Sequence, residues 1–117
     1  NLRDQTYLIG LVFPHFLWYH SFMDENLPVE AIEILKQNDI EYAALFGSRA
    51  RGDDRPDSDY DILIRFKKEK EKGLFGLISL QRRLSGILRQ KVDLVTQDSL
   101  SPYIRKYIIE DLKVIYQ

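Results

Sequence analysis

One stretch, residues 45–65 (LFGSRARGDDRPDSDYDILIR), restricts the fold of this chain more than any other. It begins as an apolar run that enters a Gly-Ser turn, continues as a polar loop, and ends where Asp59 and Asp61 alternate with apolar residues. Alternation with a period of two indicates a β-strand, on which residues i and i+2 point to the same face. The stretch therefore predicts two strands joined by a loop, with two carboxylates converging beside the turn.

The paired carboxylates suggest a metal site. Two adjacent like charges are unfavourable unless a cation lies between them. Oxygen ligands favour Mg²⁺ or Mn²⁺, and Mg²⁺ commonly combines one or two carboxylates with the phosphates of a substrate. Asp59 and Asp61 are therefore candidate metal ligands. The alternative is a pair of solvent-exposed aspartates at the mouth of a strand.

The turn before the loop has the residues of a phosphate-binding turn. Gly47 lets a ligand approach the backbone closely and tolerates a positive φ. Ser48 offers a hydroxyl and a backbone N–H, and a helical turn that opens there would add positive potential. Arg49 and Arg51 are candidate triphosphate contacts, because arginine binds phosphate in a bidentate manner. Their alternative role is to brace a nearby carboxylate, such as Asp57.

A third carboxylate, Asp93, lies between apolar residues in the segment VDLV. An aspartate on a buried strand needs a partner. If this strand neighbours the strand that carries Asp61, Asp93 can share the metal site. The alternative is an ion pair with one of four basic residues: Arg49, Arg51, Arg65 or Lys91.

The apolar periodicity elsewhere predicts an α/β or α+β layer fold. The predicted elements are a helix over 26–38 capped by Asn26, strands over 41–46 and 60–66, a helix over 73–89, a strand over 91–96, a helix over 100–111 and a closing strand over 114–116. The charge run 67–72 has alternating signs, which is typical of a solvated turn.

Three helical stripes are predicted to face the core. The first helix contributes Val29, Ile32 and Leu35. The second contributes Leu77, Leu80, Leu84, Ile87 and Leu88. The last contributes Leu100, Tyr103, Ile104, Tyr107, Ile108 and Leu112. Helical spacing favours a core role for Tyr103, Tyr107 and Tyr116 over a partner-binding role.

Composition limits the remaining possibilities. The 117 residues fit one domain, with 44% hydrophobic and 30% charged residues. The net charge of -1 provides no general basic field, so we expect no direct nucleic-acid binding. The absence of cysteine excludes disulfides and thiolate metal sites, and a cytoplasmic location is expected.

The first 22 residues differ in character from the rest. Their aromatic, apolar run over 7–19 is too short for a membrane span and contains Pro14. Met23 is the only methionine. We therefore expect the domain to be residues 23–117, with residues 1–22 a non-native or upstream extension. The alternative is an added strand or arm that covers an apolar surface.

Taken together, these motifs resemble those of a known superfamily. Gly47-Ser48, ten further residues, Asp59-Tyr60-Asp61 and the later Asp93 resemble the nucleotidyltransferases that include DNA polymerase beta. The fuller string GSRARG…SDYDILI and the ending SPYIRKYIIEDLKVIY resemble the minimal nucleotidyltransferases, small domains encoded beside HEPN-domain proteins in prokaryotes. The resemblance extends over residues 28–116 and implies a small mixed sheet flanked by helices.

The resemblance also implies a mechanism and a partner. Gly47 and Ser48 would hold the β- and γ-phosphates of ATP. Asp59 and Asp61 would bind two Mg²⁺ ions, while Asp93 would join the catalytic ion and help to deprotonate the acceptor hydroxyl. Members of the family transfer AMP to a tyrosine of an HEPN ribonuclease toxin and so act as antitoxins.

Two other functions remain open from the sequence. One is a small-molecule nucleotidyltransferase of the aminoglycoside-modifying type, although such enzymes usually carry a further domain for the acceptor. The other is an antitoxin that neutralises by contact alone, against which the three intact carboxylates argue. The sequence does not identify the nucleotide base, the acceptor residue or the oligomeric state, and a homo-oligomer stays open.

Overall fold

The computed structural model of the chain describes residues 27–117. The predictions for residues 1–22, for a start at Met23 and for an Asn26 cap lie outside the described residues. The elements, in chain order, are α1 (Val29–Gln37), β1 (Ile40–Phe46), α2 (Ser48–Arg51), β2 (Tyr60–Phe66), α3 (Leu74–Leu88), β3 (Val92–Thr96), a short 3₁₀ turn (Gln97–Ser99), α4 (Pro102–Glu110) and β4 (Lys113–Tyr116). No helix within 27–117 is long and apolar enough to cross a membrane.

The four strands form one mixed sheet in the order β3–β2–β1–β4. Strand β1 is antiparallel to both β2 and β4, whereas β2 and β3 are parallel. The predicted α/β class and the small mixed sheet are confirmed. Phe46 lies opposite Asp61, and Asp61 lies opposite Asp93. The register therefore brings the turn after β1 and two of the predicted carboxylates to the same end of the sheet.

Helices α1 and α3 cover one face of the sheet and form the main core with it. The buried members of this core are Leu27, Ala31, Ile34, Leu35, Ile40, Ala43, Leu45, Ile62, Ile64, Phe66, Leu80, Leu84, Val92 and Leu94. The predicted stripe of α3 is confirmed, since Leu80 and Leu84 are buried and Leu77, Ile87 and Leu88 contact the core.

The prediction for Val29 is wrong, because this side chain is 39% exposed. In α1 the residues that face the sheet are Ala31, Ile34 and Leu35. Each residue advances about 100° around an α-helix, so Val29 points away from Ala31 by about 200°. The buried face of α1 is therefore the one that carries Ala31.

The other face of the sheet has a smaller apolar cluster and also carries the carboxylates. Tyr42, Ala44 and Leu63 are buried there, and Leu100, Ile108 and Leu112 pack against them. Because strand residues alternate between faces, Asp61 shares this face with Leu63. Asp93 lies directly opposite Asp61 on β3. The carboxylates therefore lie on the side of the sheet that α4 covers.

The predicted core stripe of α4 is partly wrong. Tyr103, Ile104 and Tyr107 are 83%, 53% and 73% exposed. The helix starts at Pro102, where the Ser101 hydroxyl caps it by accepting a hydrogen bond from Ile104 N (3.3 Å). The cluster beneath α4 has only three buried residues, so it contacts a narrow edge of the helix, at Ile108.

Tyr116 of β4 is half-buried against the main core, as predicted. Its hydroxyl donates to the Ile40 carbonyl at 2.7 Å. Burial raises the pKa of Tyr116 to about 12, because the phenolate would lose its hydration. The tyrosine thus joins the closing strand to the first residue of β1.

Candidate active site

The phosphate-type turn lies directly against one of the carboxylates. Gly47 follows β1 with φ +76°, in the region that favours glycine. A Cβ at this position would collide with Oδ2 of Asp61 and lie 3.3 Å from its Cγ. Any larger residue would have to push the carboxylate aside. Glycine is therefore required here both by the backbone conformation and by the proximity of Asp61.

The helical turn considered as a possibility after Gly47 is present in the structure. Ser48–Arg51 forms α2, and the Gly47 carbonyl accepts hydrogen bonds from Ala50 N and Arg51 N, both at 3.1 Å. The first amides of a helical turn have no acceptor within the turn itself. Together with the Ser48 hydroxyl, they can meet phosphate oxygens at the Gly47 end of α2.

Asp61 and Asp93 form a like-charged pair across β2 and β3. They occupy directly opposed positions in the parallel register. The pKa of Asp61 is raised by burial first, then by the negative charges of Asp93 and Asp59. The cations Lys91 and Arg51 lower this pKa but do not cancel the effect. A bound cation would relieve the repulsion between the two ionised carboxylates. Hard carboxylate oxygens suit Mg²⁺ or Mn²⁺.

Asp59 lies just before β2 and is exposed. Its charge acts on Asp61, but residues 27–117 contain no group of three or more carboxylate or imidazole side chains arranged to hold a metal ion. Two carboxylates completed by phosphate oxygens are a common Mg²⁺ ligand set. The side chains present therefore fit a divalent cation, whose ligand set the phosphate oxygens of a nucleotide would complete, and the metal-ligand assignments stay predictions.

The predicted ion-pair alternative for Asp93 has limited support. Lys91 Nζ lies 3.9 Å from Asp93 Oδ1, and the two side chains are 68% and 41% exposed. An exposed pair at this distance contributes little to stability. Arg65 contacts Glu41 instead, at 2.7 Å. Asp93 is therefore free to exchange its lysine contact for another cation.

Two side chains of α3 hold the backbone on either side of Asp93. Ser85 Oγ accepts a hydrogen bond from Val92 N at 3.1 Å, and Gln81 Oε1 accepts one from Leu94 N at 2.8 Å. Sequence reasoning missed both residues. Their spacing of i and i+4 on one helix face was the available signal.

Arg49 is almost enclosed and contacts the loop rather than solvent. Its side chain is 14% exposed. Nε and Nη2 donate to the Ser58 carbonyl at 3.2 and 2.8 Å, and Nη1 donates to Asp54 Oδ2 at 3.2 Å. The guanidinium carbon lies 3.9 Å from the centroid of the Tyr60 ring. The predicted alternative for Arg49, bracing of a nearby carboxylate, is thus present through Asp54.

Arg51 is more available than Arg49. Its side chain is 46% exposed, with Nε 3.2 Å from Asp53 and Nη1 3.8 Å from Asp111. Exposed pairs of this kind are weak and can be exchanged for a phosphate. Its positive charge also reaches Asp61, whose pKa it lowers. Arg51 therefore keeps its predicted role as a candidate triphosphate contact.

A comparison with known families agrees with this arrangement. Residues 30–117 match the family described as polymerase beta, nucleotidyltransferase. The chain belongs to this family. The match includes the Gly47 turn and all three aspartates, so the resemblance noted from the motifs is confirmed for this nucleotidyltransferase.

Individual relatives carry a more specific name than the family does. The nucleotidyltransferase is 41% identical over 93 residues to a protein of Methanocaldococcus jannaschii provisionally named a protein adenylyltransferase, covering 79% of this chain and 93% of the relative. It is 34% identical over 80 residues to the protein adenylyltransferase MntA of Thermococcus cleftensis, covering 68% of this chain and 79% of the relative.

A solved structure shares the fold. The nucleotidyltransferase superposes with a TM-score of 0.60 on a chain from the complex of tri-AMPylated Shewanella oneidensis HEPN toxin with MNT antitoxin. The two chains are 22% identical, and the match covers 75% of this chain and 67% of that one. This likeness establishes a common fold.

Proposed function

We propose that this nucleotidyltransferase transfers AMP from ATP to a tyrosine hydroxyl of an HEPN-domain toxin and thereby neutralises the toxin. The observation that carries the proposal is the contact between Gly47 and Asp61, with Asp93 opposite Asp61. A phosphate turn and a carboxylate pair in direct contact suit nucleotidyl transfer. The names of its adenylyltransferase relatives, and the AMPylated toxin in the Shewanella oneidensis complex, support AMP as the transferred group.

The proposed roles follow from where the side chains lie. Gly47 and Ser48 bind the β- and γ-phosphates at the start of α2, and Arg51 adds a charge-assisted contact to the triphosphate. Asp59, Asp61 and Asp93 would hold Mg²⁺. When bound, the divalent cation neutralises charge on the attacking and leaving oxygens. Arg49 was also predicted to bind the nucleotide, but its contacts support a different role, argued below.

The reaction is a displacement at the α-phosphorus of ATP. The acceptor oxygen forms a bond to this phosphorus, and the bond from the phosphorus to the oxygen bridging to the β-phosphate breaks. Pyrophosphate leaves with that oxygen and its electron pair. The acceptor proton passes to the Asp93 carboxylate and then to water.

The acceptor is proposed to arrive on a separate protein. A cavity of about 220 Å³ does exist, but its lining includes Phe66, Thr96 and Asp98, at the opposite end of β2 and β3 from Asp61 and Asp93. That position is unsuitable for an acceptor that must reach the carboxylates. A tyrosine presented by a partner would supply the missing half of the site.

Mass spectrometry of a candidate HEPN-domain partner tests the proposal. The HEPN protein is incubated with the nucleotidyltransferase, ATP and Mg²⁺, and its intact mass is measured. An increase by one or more AMP groups, mapped to tyrosine by peptide sequencing, is expected. If the two proteins bind but the mass does not change, the proposed transfer is contradicted. Toxin neutralisation without a mass change would favour an antitoxin that acts by contact.

A further inference from the structure

We infer that Arg49 is a positioning residue that fixes the backbone around Asp59, rather than a ligand of the triphosphate. The inference rests on the proposed function, because it assigns Asp59 to the metal site of that reaction. It concerns how the loop between α2 and β2 is held. It requires no contact between Arg49 and the nucleotide.

The contacts of Arg49 lie on both sides of Asp59. On the N-terminal side, Nε and Nη2 hold the carbonyl of Ser58, which belongs to the same peptide group as the Asp59 amide. On the C-terminal side, the guanidinium stacks on the ring of Tyr60 at 3.9 Å. Tyr60 is further fixed by its amide, which donates to the Lys91 carbonyl at 2.9 Å. Asp59 is thus placed between two residues that Arg49 holds.

The loop needs this connection because its other contacts are mostly internal. Arg55 N donates to Ser58 Oγ at 2.7 Å, and Ser58 N donates to the Arg55 carbonyl at 3.0 Å. These bonds form a closed turn over residues 55–58 but do not fix its position relative to the phosphate turn. Arg49 lies on α2 and contacts this closed turn at two carbonyls, those of Pro56 and Ser58. It therefore couples the phosphate turn to the start of β2.

The contacts use the particular chemistry of arginine. A planar guanidinium can donate along its edge and stack through its face at the same time. Here its three nitrogens all donate within the loop, to Ser58, Pro56 and Asp54, while the face lies on Tyr60. A lysine at this position would retain the charge but could not make the fork and the stack together. Binding of a triphosphate by Arg49 would require these contacts to break.

The test measures Mn²⁺ binding to the nucleotide-free protein. Electron paramagnetic resonance reports the concentration of free Mn²⁺ that remains in solution. Removal of a nearby positive charge should, by electrostatics alone, strengthen Mn²⁺ binding. The positioning role predicts instead that loss of Arg49 weakens Mn²⁺ binding. Loss of outer-shell support typically weakens metal binding by about 10- to 100-fold, and we expect a loss in this range for Arg49→Gln. Arg49→Lys should weaken binding by about 10-fold, because the charge alone does not rescue the geometry.

Arg55→Gln is the matched control. It removes the same charge from the exposed loop that Arg49 contacts and leaves the contacts of Arg49 in place, so its Mn²⁺ affinity should stay within about twofold of wild type. Tyr60→Leu is a second variant that removes the stack and keeps the charge. Its Mn²⁺ binding should weaken as well, which keeps the inference testable if Arg49→Gln does not fold.

A second measurement separates positioning from direct nucleotide contact. ATP binding is measured in EDTA, where no divalent ion contributes. Positioning predicts that Arg49→Gln binds metal-free ATP within about twofold of wild type, whereas loss of a charge-assisted phosphate contact would weaken it by about 10-fold or more. Three results would each overturn the inference. They are no Mn²⁺ binding by wild type, unchanged or tighter Mn²⁺ binding by Arg49→Gln, and a selective loss of metal-free ATP binding by Arg49→Gln. Failure of AMP transfer by a wild type that binds Mn²⁺ would instead contradict the proposed function alone.

Discussion

Gly47 and Asp61 share one small volume: the space that a Cβ on Gly47 would need is already filled by Oδ2 of Asp61. Phe46, the last residue of β1, pairs with Asp61 in the sheet, so the contact is a direct consequence of strand register. A phosphate held by the turn would therefore lie beside a carboxylate. The strand register therefore brings the Gly47 turn and the Asp61 carboxylate together.

Gly47→Ala should impair both stability and transfer. The positive φ costs on the order of 1–3 kcal/mol for a residue with a Cβ, and the collision with Asp61 adds to it. Gly52→Ala is the control, since Gly52 has φ +85° but open space around its Cα. Denaturant unfolding should show a larger loss for Gly47→Ala than for Gly52→Ala, and only Gly47→Ala should lose nucleotide binding. Equal losses in both variants would show that the contact with Asp61 has no consequence.

Asp61→Asn should stabilise the metal-free protein at neutral pH. The folded-state pKa of Asp61 is raised by burial and by its acidic neighbours. The folded protein therefore holds this proton more tightly than the unfolded chain, and stability is lost as pH rises from about 4 through the folded pKa. The asparagine removes this loss, so the variant should be more stable than wild type at neutral pH.

Thermal unfolding in EDTA at two pH values measures this effect. Asp61→Asn should melt above wild type at pH 7, and the difference should shrink below pH 4, where wild-type Asp61 is protonated in both states. Asp57→Asn, on the exposed loop, should show no such gain. Adding Mg²⁺ with ATP should raise the melting temperature of wild type more than that of Asp61→Asn. A metal-free Asp61→Asn that melts below wild type at pH 7 would contradict the repulsion.

Gln81→Ala should reduce transfer through Asp93 without touching the nucleotide. The change leaves Leu94 N without its acceptor, which typically costs about 1–3 kcal/mol when the group is buried. It also releases the backbone next to Asp93. Steady-state kinetics should show a lower kcat with little change in KM for ATP. Arg82→Ala, on the exposed side of α3, is the control and should match wild type.

Tyr107→Ala should leave stability within about 0.5 kcal/mol of wild type, because the side chain is 73% exposed. Leu84→Ala, at a fully buried position of α3, should cost about 2–5 kcal/mol. Chemical denaturation of the two variants compares them directly. A large loss of stability for Tyr107→Ala would show that the side chain packs in a core after all.

The sequence predicted the sheet and the position of the carboxylates because both depend on short-range patterns. Alternation around Asp61 and the apolar flanks of Asp93 are sufficient to assign strands. The assumption that these strands are neighbours is confirmed by the register. Asp61 and Asp93 meet because β3 runs parallel to β2 in a register that places the two residues opposite each other.

Two other features depended on tertiary context and could not be predicted. Periodicity shows that α4 has an apolar face but not how wide its docking surface is, so Tyr103 and Tyr107 were wrongly assigned to the core. Charge and spacing also marked Arg49 as a phosphate contact. Its actual partners, the carbonyl of Ser58 and the ring of Tyr60, depend on how an irregular loop folds back onto α2.

The central claim is that AMP transfer takes place at the Gly47–Asp61–Asp93 site. The most direct measurement is the intact mass of the proposed HEPN partner after incubation with ATP, Mg²⁺ and each of four proteins: wild type, Asp61→Asn, Asp93→Asn and the loop control Asp57→Asn. Wild type and Asp57→Asn should add AMP at similar rates. Asp61→Asn and Asp93→Asn should still bind the partner but transfer at least about 100-fold more slowly. Transfer at the wild-type rate by Asp61→Asn or Asp93→Asn would contradict the account.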